Sequence, residues 1–152
     1  MAALKEGMKA PEFKLTADDD STVKLKDFKG QTVILFFYPK ANTSGCTIEA
    51  CDFRDAKPAF AKKGAVILGI SPDPVKNLVK FREAQGLTYP LLADEDHAVA
   101  VGYGVWGEKS LYGRKYMGVE RTTFVIGPDG KIAKVYPKVK VREHAQAVLS
   151  DL

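Results

Sequence analysis

Two continuous apolar runs, Thr32-Val33-Ile34-Leu35-Phe36-Phe37-Tyr38 and Ala65-Val66-Ile67-Leu68-Gly69-Ile70, constrain the fold of this chain more than any other feature. Neither alternates polar with apolar residues, so each reads as a strand covered on both faces, the kind found at the centre of an α/β sheet. Helix-like segments separate and follow them. One starts near Cys46, and a second opens at Pro74 with Val75, Leu78, Val79 and Phe81 at roughly helical spacing and Gly86 as its stop. A short strand is expected at 89–92, and Asp94-Glu95-Asp96 can cap a brief helix over 98–101. The runs 122–126 and 132–136 flank Gly127-Pro128-Asp129-Gly130-Lys131, a hairpin signal because proline presets φ and glycine takes the left-handed position. A last helix over 141–152 places Ala145, Val148, Leu149 and Leu152 on one face. From residue 32 onward the order is therefore β-α-β-α-β-α-β-β-α. That alternation, with no repeat or linker to divide the 152 residues, predicts one α/β domain spanning 1–152.

The chain holds two cysteines, Cys46 and Cys51, and both lie just beyond the first core strand. Loops at the carboxyl ends of strands form the functional crevice of open α/β sheets. A thiol in the first turn of a helix there meets free backbone N–H groups and the positive end of the helix dipole, both of which favour its anionic form. Residues i and i+5 of one helix lie about 8.5 Å apart at Cα and about 140° apart around the axis. A disulfide needs Cα atoms within about 7 Å. If both cysteines share a helix, bridging them requires that helix to unwind locally, which makes it a two-state element. Pro58, downstream in the same stretch, is expected to end or kink the helix and to limit the unwinding.

A buried structural cysteine is disfavoured for Cys46 by the polar, flexible Thr43-Ser44-Gly45 before it. A zinc site lacks ligands at suitable spacing, since the only histidines are His97 and His144, and no partner for either can be inferred. A thioredoxin-type exchanger would want Cys-x-x-Cys, and Glu49 stands at the second position. No metal or cofactor is expected.

Pro39-x-x-x-Thr43-x-x-Cys46 matches the peroxiredoxin signature. The wider string Tyr38-Pro39-Lys40, Gly45-Cys46-Thr47 and Glu49-Ala50-Cys51-Asp52-Phe53-Arg54-Asp55 resembles the bacterioferritin-comigratory-protein (PrxQ) subfamily. The likeness continues through Gly69-Ile70-Ser71, Pro90 to Asp94, Tyr112 to Tyr116 and Gly118 to Ile126. The chain departs from many members by Ser44 where they carry proline. The resemblance implies a thioredoxin-like fold of the peroxiredoxin type, with a central mixed sheet flanked by helices. It implies that Cys46 is the peroxidatic cysteine and Cys51 the resolving one, condensing with the Cys46 sulfenic acid to an intramolecular disulfide. Thr43 would offer its hydroxyl to the peroxide, and the N–H groups of Gly45 and Cys46 would face its oxygens. Arg121 would hold sulfur and peroxide in its guanidinium fork. Glu49, on the same helical face as Cys46, would orient that arginine, and Pro39 would shield the sulfur from water. Arg54 and Tyr38 are secondary candidates. The substrates implied are hydrogen peroxide and organic hydroperoxides, with thioredoxin, or else glutaredoxin, as reductant.

Three function classes remain open at this point: a thiol peroxidase, a redox sensor that passes oxidation to a partner protein, and a basic binding or chaperone module. The net charge of +4 is spread among acids without a basic tract, which argues against nucleic acid as a partner. No run is long enough to span a bilayer and no secretory signal is visible, so a cytoplasmic protein is expected. A resolving cysteine on the same chain makes a partner subunit unnecessary, so a monomer is expected. Trp106, Tyr112, Tyr116 and Met117 lie in a Gly-rich stretch that either folds over the site, contacts the reductant or simply packs.

Overall fold

A computed structural model describes residues 4–152. Strands β1 (Lys14–Ala17) and β2 (Thr22–Lys24) form an N-terminal hairpin, followed by β3 (Thr32–Phe37), helix α1 (Ser44–Lys62), β4 (Ala65–Ser71), α2 (Val75–Gln85), β5 (Leu91–Ala93) and α3 (Ala98–Gly102). Then come β6 (Trp106–Leu111), β7 (Arg114–Val119), β8 (Thr122–Ile126), β9 (Ile132–Tyr136) and α4 (His144–Ser150). Seven strands make one sheet in the order β2-β1-β5-β4-β3-β8-β9, while β6 and β7 pair as a separate two-stranded ribbon. The β3/β4 and β4/β5 pairs are parallel and the others antiparallel, so the sheet is mixed, as expected.

The two apolar runs form the centre of the sheet because each supplies side chains to both faces. Ile34, Phe36, Ile67 and Val125 pack with α1, α2 and α4, whereas Val33, Leu35, Phe37, Leu68 and Phe124 pack with α3 and the N-terminal segments. Phe36 stacks on Phe53 of α1 at 4.8 Å between ring centroids. Gly69 on β4 makes room for that ring, since a Cβ there would stand 2.9 Å from Phe36 Cζ and 3.2 Å from Tyr38 Cε1. This contact sets α1, and with it both cysteines, against the carboxyl end of β3.

Several sequence expectations need correction. The hairpin β1–β2 and the ribbon β6–β7 add to the expected elements: their strands are short or largely exposed, and their polar sequences lack apolar periodicity. Pro58 does not end α1, which runs on to Lys62. Pro58 lies on the exposed side, where a carbonyl that has lost its N–H partner can be hydrated. The third strand begins at Leu91, two residues later than expected, and α4 spans only His144–Ser150. The Asp94 carboxylate does cap α3, accepting from the N–H groups of Val99 and Ala100. No helix among the described residues is long and apolar enough to cross a membrane.

Candidate active site

The turn from β3 into α1 is built by local hydrogen bonds. Asn42 takes a left-handed φ of 61°, a conformation asparagine tolerates better than most residues, and Thr43 returns to extended backbone as the N-cap of α1. The Thr43 hydroxyl donates to the Lys40 carbonyl at 2.7 Å. From the neighbouring strand end, buried Asp73 accepts from the Ala41 N–H at 2.8 Å and from the Ser71 hydroxyl at 2.7 Å. Asp73 was not singled out from the sequence. The available signal was an acidic residue just past β4, the strand parallel to the one that ends at this loop.

Ser44, Gly45 and Cys46 occupy the first turn of α1, where N–H groups have no acceptor within the helix. Cys46 is fully buried. Arg121, in the short link between β7 and β8, reaches it across the molecule. Its Nη2 donates to Cys46 Sγ at 3.2 Å and its Nη1 donates to Glu49 Oε1 at 2.7 Å. A Cβ on residue 45 would lie 3.3 Å from Arg121 Nη2, so glycine leaves the space that the guanidinium fills. Glu49 is 1% exposed, and burial pushes its carboxyl up to about 7 despite the opposing pull of Arg121. Only one of its oxygens is satisfied, for Oε2 is buried without a hydrogen-bond partner.

Behind Glu49 stands His144, for which the sequence suggested no partner. Its Nε2 lies 2.8 Å from the Thr123 hydroxyl and 4.0 Å from Glu49 Oε2. Burial, with Arg121 adding to it, holds the imidazole down to about 4, so it is neutral near pH 7. A helical face cannot reveal this group. It joins residues 49, 121, 123 and 144 from three separate segments.

Cys51 is half-buried further along α1, where its Sγ donates to Gln85 Oε1 at 3.6 Å, and both cysteines are free thiols. Arg54 is turned away from the sulfur toward Asp55 and the Gln85 carbonyl. Tyr38 is buried between Phe36 and Phe81, and burial raises its phenol far above the ordinary value, so it remains neutral. Pro39 follows Tyr38 past the end of β3 and is partly exposed. In the 103–118 stretch Trp106 stacks flat on His97 at 3.8 Å, while Tyr112, Tyr116 and Met117 are exposed on the ribbon.

Residues 7–135 match the model of the AhpC/TSA family. The chain belongs to that family. Within it the similarity is to peroxiredoxins of the Bcp/PrxQ type. Peroxiredoxin Bcp of Bacillus subtilis is 47% identical over 146 residues, 96% of this chain and 93% of that one. Peroxiredoxin Bcp of Escherichia coli is 46% identical over 152 residues, 100% of this chain and 97% of that one. The bacterioferritin comigratory protein of Xanthomonas campestris, described for its alkyl peroxide reduction activity, superposes with a TM-score of 0.90 at 36% identity, covering 97% of this chain and 96% of that one. The BcpB structure of Mycobacterium tuberculosis gives 0.86 at 40% identity, with 97% and 95% covered. As a peroxiredoxin the chain is a thiol peroxidase.

Proposed function

We propose that the chain reduces hydrogen peroxide and small organic hydroperoxides at Cys46 and is returned to its dithiol form by thioredoxin. The observation that carries this reading is the Arg121 fork, with one nitrogen on the buried Cys46 sulfur and the other on Glu49. The guanidinium stands fixed beside the sulfur, and its remaining donor capacity can meet the charge that develops on the departing oxygen. The Thr43 hydroxyl already gives its proton to Lys40, so its lone pairs are left to accept from the peroxide O–H.

The Cys46 thiolate attacks the distal peroxide oxygen. The O–O bond breaks, the alkoxide or hydroxide leaves with a proton, and Cys46 becomes a sulfenic acid. Cys51 then attacks that sulfur, the S–S bond forms and water departs. Two thiolates of an external dithiol reduce the disulfide in turn. The alkyl peroxide activity described for the Xanthomonas relative supports organic hydroperoxides as substrates here. Since both thiols of the cycle lie on one chain, the whole of 1–152 acts as one domain and as a monomer, in a reducing compartment such as the cytoplasm.

The test is peroxide consumption coupled to NADPH through thioredoxin and thioredoxin reductase, run beside a glutaredoxin/glutathione relay. Cys46→Ser is expected to abolish turnover in both. Cys51→Ser is expected to react once and accumulate a dimedone-reactive sulfenic acid. Turnover by pure Cys46→Ser would sink the reading, and normal cycling of Cys51→Ser would remove Cys51 from it.

A further inference from the structure

We propose that His144, held by Thr123, is a positioning residue for the peroxide reaction: it backs the free oxygen of Glu49 and thereby keeps Arg121 on the Cys46 sulfur. This inference rests on the reading of Cys46 as the peroxide-reactive thiol.

Glu49 Oε2 is a buried acceptor with no hydrogen-bond partner, while Oε1 accepts from Arg121. A carboxylate left half-satisfied in a dry site is costly, and His144 Nε2 stands 4.0 Å from the free oxygen. That nitrogen is already within 2.8 Å of Thr123 Oγ1. Nε2 has one in-plane site, as N–H or as lone pair, and the Thr123 hydroxyl can rotate to match either, so the neutral ring can share that N–H or lone pair between Thr123 and Glu49 in a three-centre contact. When Glu49 is ionised the N–H tautomer faces it, and when Glu49 carries a proton on Oε2 the lone pair does. Either arrangement closes with a small movement, and in both the carboxyl keeps its plane and its grip on Arg121.

The ring has little freedom to do anything else. Phe53 and Tyr136 hold it edge-on from two sides, at 5.8 and 5.4 Å between centroids. Its surroundings are also chemically sparse. The titratable and charged groups that face the Glu49–His144 pair are Cys46 and Asp52 from α1, Arg121 before β8, Tyr136 from β9, Tyr38 after β3 and Tyr89 before β5. Of these only Arg121 is a cation, and it is held by Glu49 itself. The protonation of Glu49, and through it the placement of the guanidinium on the sulfur, therefore depends on what His144 offers to Oε2.

The experiment is stopped-flow measurement of Cys46 sulfenic acid formation with hydrogen peroxide between pH 5 and 9. It compares wild type with His144→Phe, which keeps the aromatic packing, His144→Gln, which restores a polar atom near Nε2, and Thr123→Val, which replaces the hydroxyl with a methyl. His144→Phe is expected to slow the second-order step on the order of tenfold and to change its pH profile, with His144→Gln recovering most of the rate. Thr123→Val should shift the profile in the same direction as His144→Phe. If His144→Phe does not fold, the glutamine and valine variants carry the test through their profiles. Rates within twofold of wild type and unchanged profiles in His144→Phe and Thr123→Val would overturn the proposal, as would equal slowing by phenylalanine and glutamine. Cys46→Ser is run alongside: peroxide reaction that survives there rejects the underlying reading instead.

Discussion

At the scale of single residues, Arg121 joins the Cys46 sulfur and the Glu49 carboxyl through two different nitrogens of one rigid group, which an ammonium cannot reproduce. Arg121→Lys is expected to slow sulfenic acid formation on the order of a hundredfold while leaving the step from sulfenic acid to disulfide unchanged. Equal rates in a peroxide-jump experiment would show that the fork is dispensable. Glu49 and His144 make a second prediction, about stability. The Glu49 carboxyl is raised from 4.5 to about 7 in the folded chain, so across that interval the folded state holds a proton the unfolded state has lost, and stability falls as pH rises. His144 is lowered from 6.5 to about 4, so the unfolded state holds the extra proton there and stability rises with pH. The two slopes oppose each other where the intervals overlap. Relative to wild type, the urea midpoint of Glu49→Gln should therefore climb with pH between 4.5 and about 7, and that of His144→Phe should fall between about 4 and 6.5. Midpoints that track wild type in parallel across these intervals would refute the assignment. Cysteine, threonine and arginine could be singled out by motif, whereas the Thr123–His144 pair could not. Nothing local distinguishes a histidine that opens a helix in the core from one on the surface.

At the scale of elements, α1 carries both thiols and must change if they are to meet. Its Cys51 half is fastened to the segment after α2 by the Tyr89 hydroxyl on the Ala50 carbonyl at 2.7 Å and by Lys57 Nζ on the Thr88 carbonyl at 2.6 Å. Arg54 on the Gln85 carbonyl and the weaker Cys51–Gln85 contact complete the fastening. Unwinding breaks these bonds along with the helical ones. Oxidation is therefore expected to raise hydrogen exchange over residues 46–54 while β3 and β4 stay protected. Tyr89→Phe, which frees the Ala50 carbonyl, should speed disulfide formation severalfold, because a net hydrogen bond is worth about 1 kcal/mol, and should leave the peroxide step unaltered. Equal protection of 46–54 in both redox states would mean that the helix does not unwind. A helix starting near Cys46 was legible in the sequence, and the fold adds that it carries both cysteines. Its continuation through Pro58 was not legible, because a proline's cost depends on whether the orphaned carbonyl meets water, and burial decides that.

At the scale of the whole molecule, the sheet divides the apolar side chains between two layers, and a few buried polar ties align the parts. Asp18, just after β1, pairs with Arg82 of α2 and accepts from the Leu91 N–H at 3.1 Å. Arg82 also donates to the Leu87 carbonyl at 2.7 Å. One ion pair thus locks the N-terminal hairpin, α2 and the start of β5 together. Asp18→Ala leaves the guanidinium partly buried without its carboxylate and is expected to cost about 3 kcal/mol in urea unfolding, with the peroxide rate unchanged. A loss below about 0.5 kcal/mol would place the pair among ordinary surface bridges. The sequence by itself determined the central strands, the order of the main helices, the position of Cys46 at a helix start and the family, because apolar period, capping and the cysteine motif are written in neighbouring residues. Only the tertiary structure decided which strands pair beside the core and that polar hairpins form at 14–24 and 106–119. It alone brought Thr123 and His144 to Glu49. Those outcomes depend on contacts between segments up to 95 residues apart, from Glu49 to His144, and a buried charge selects its partner by proximity in space.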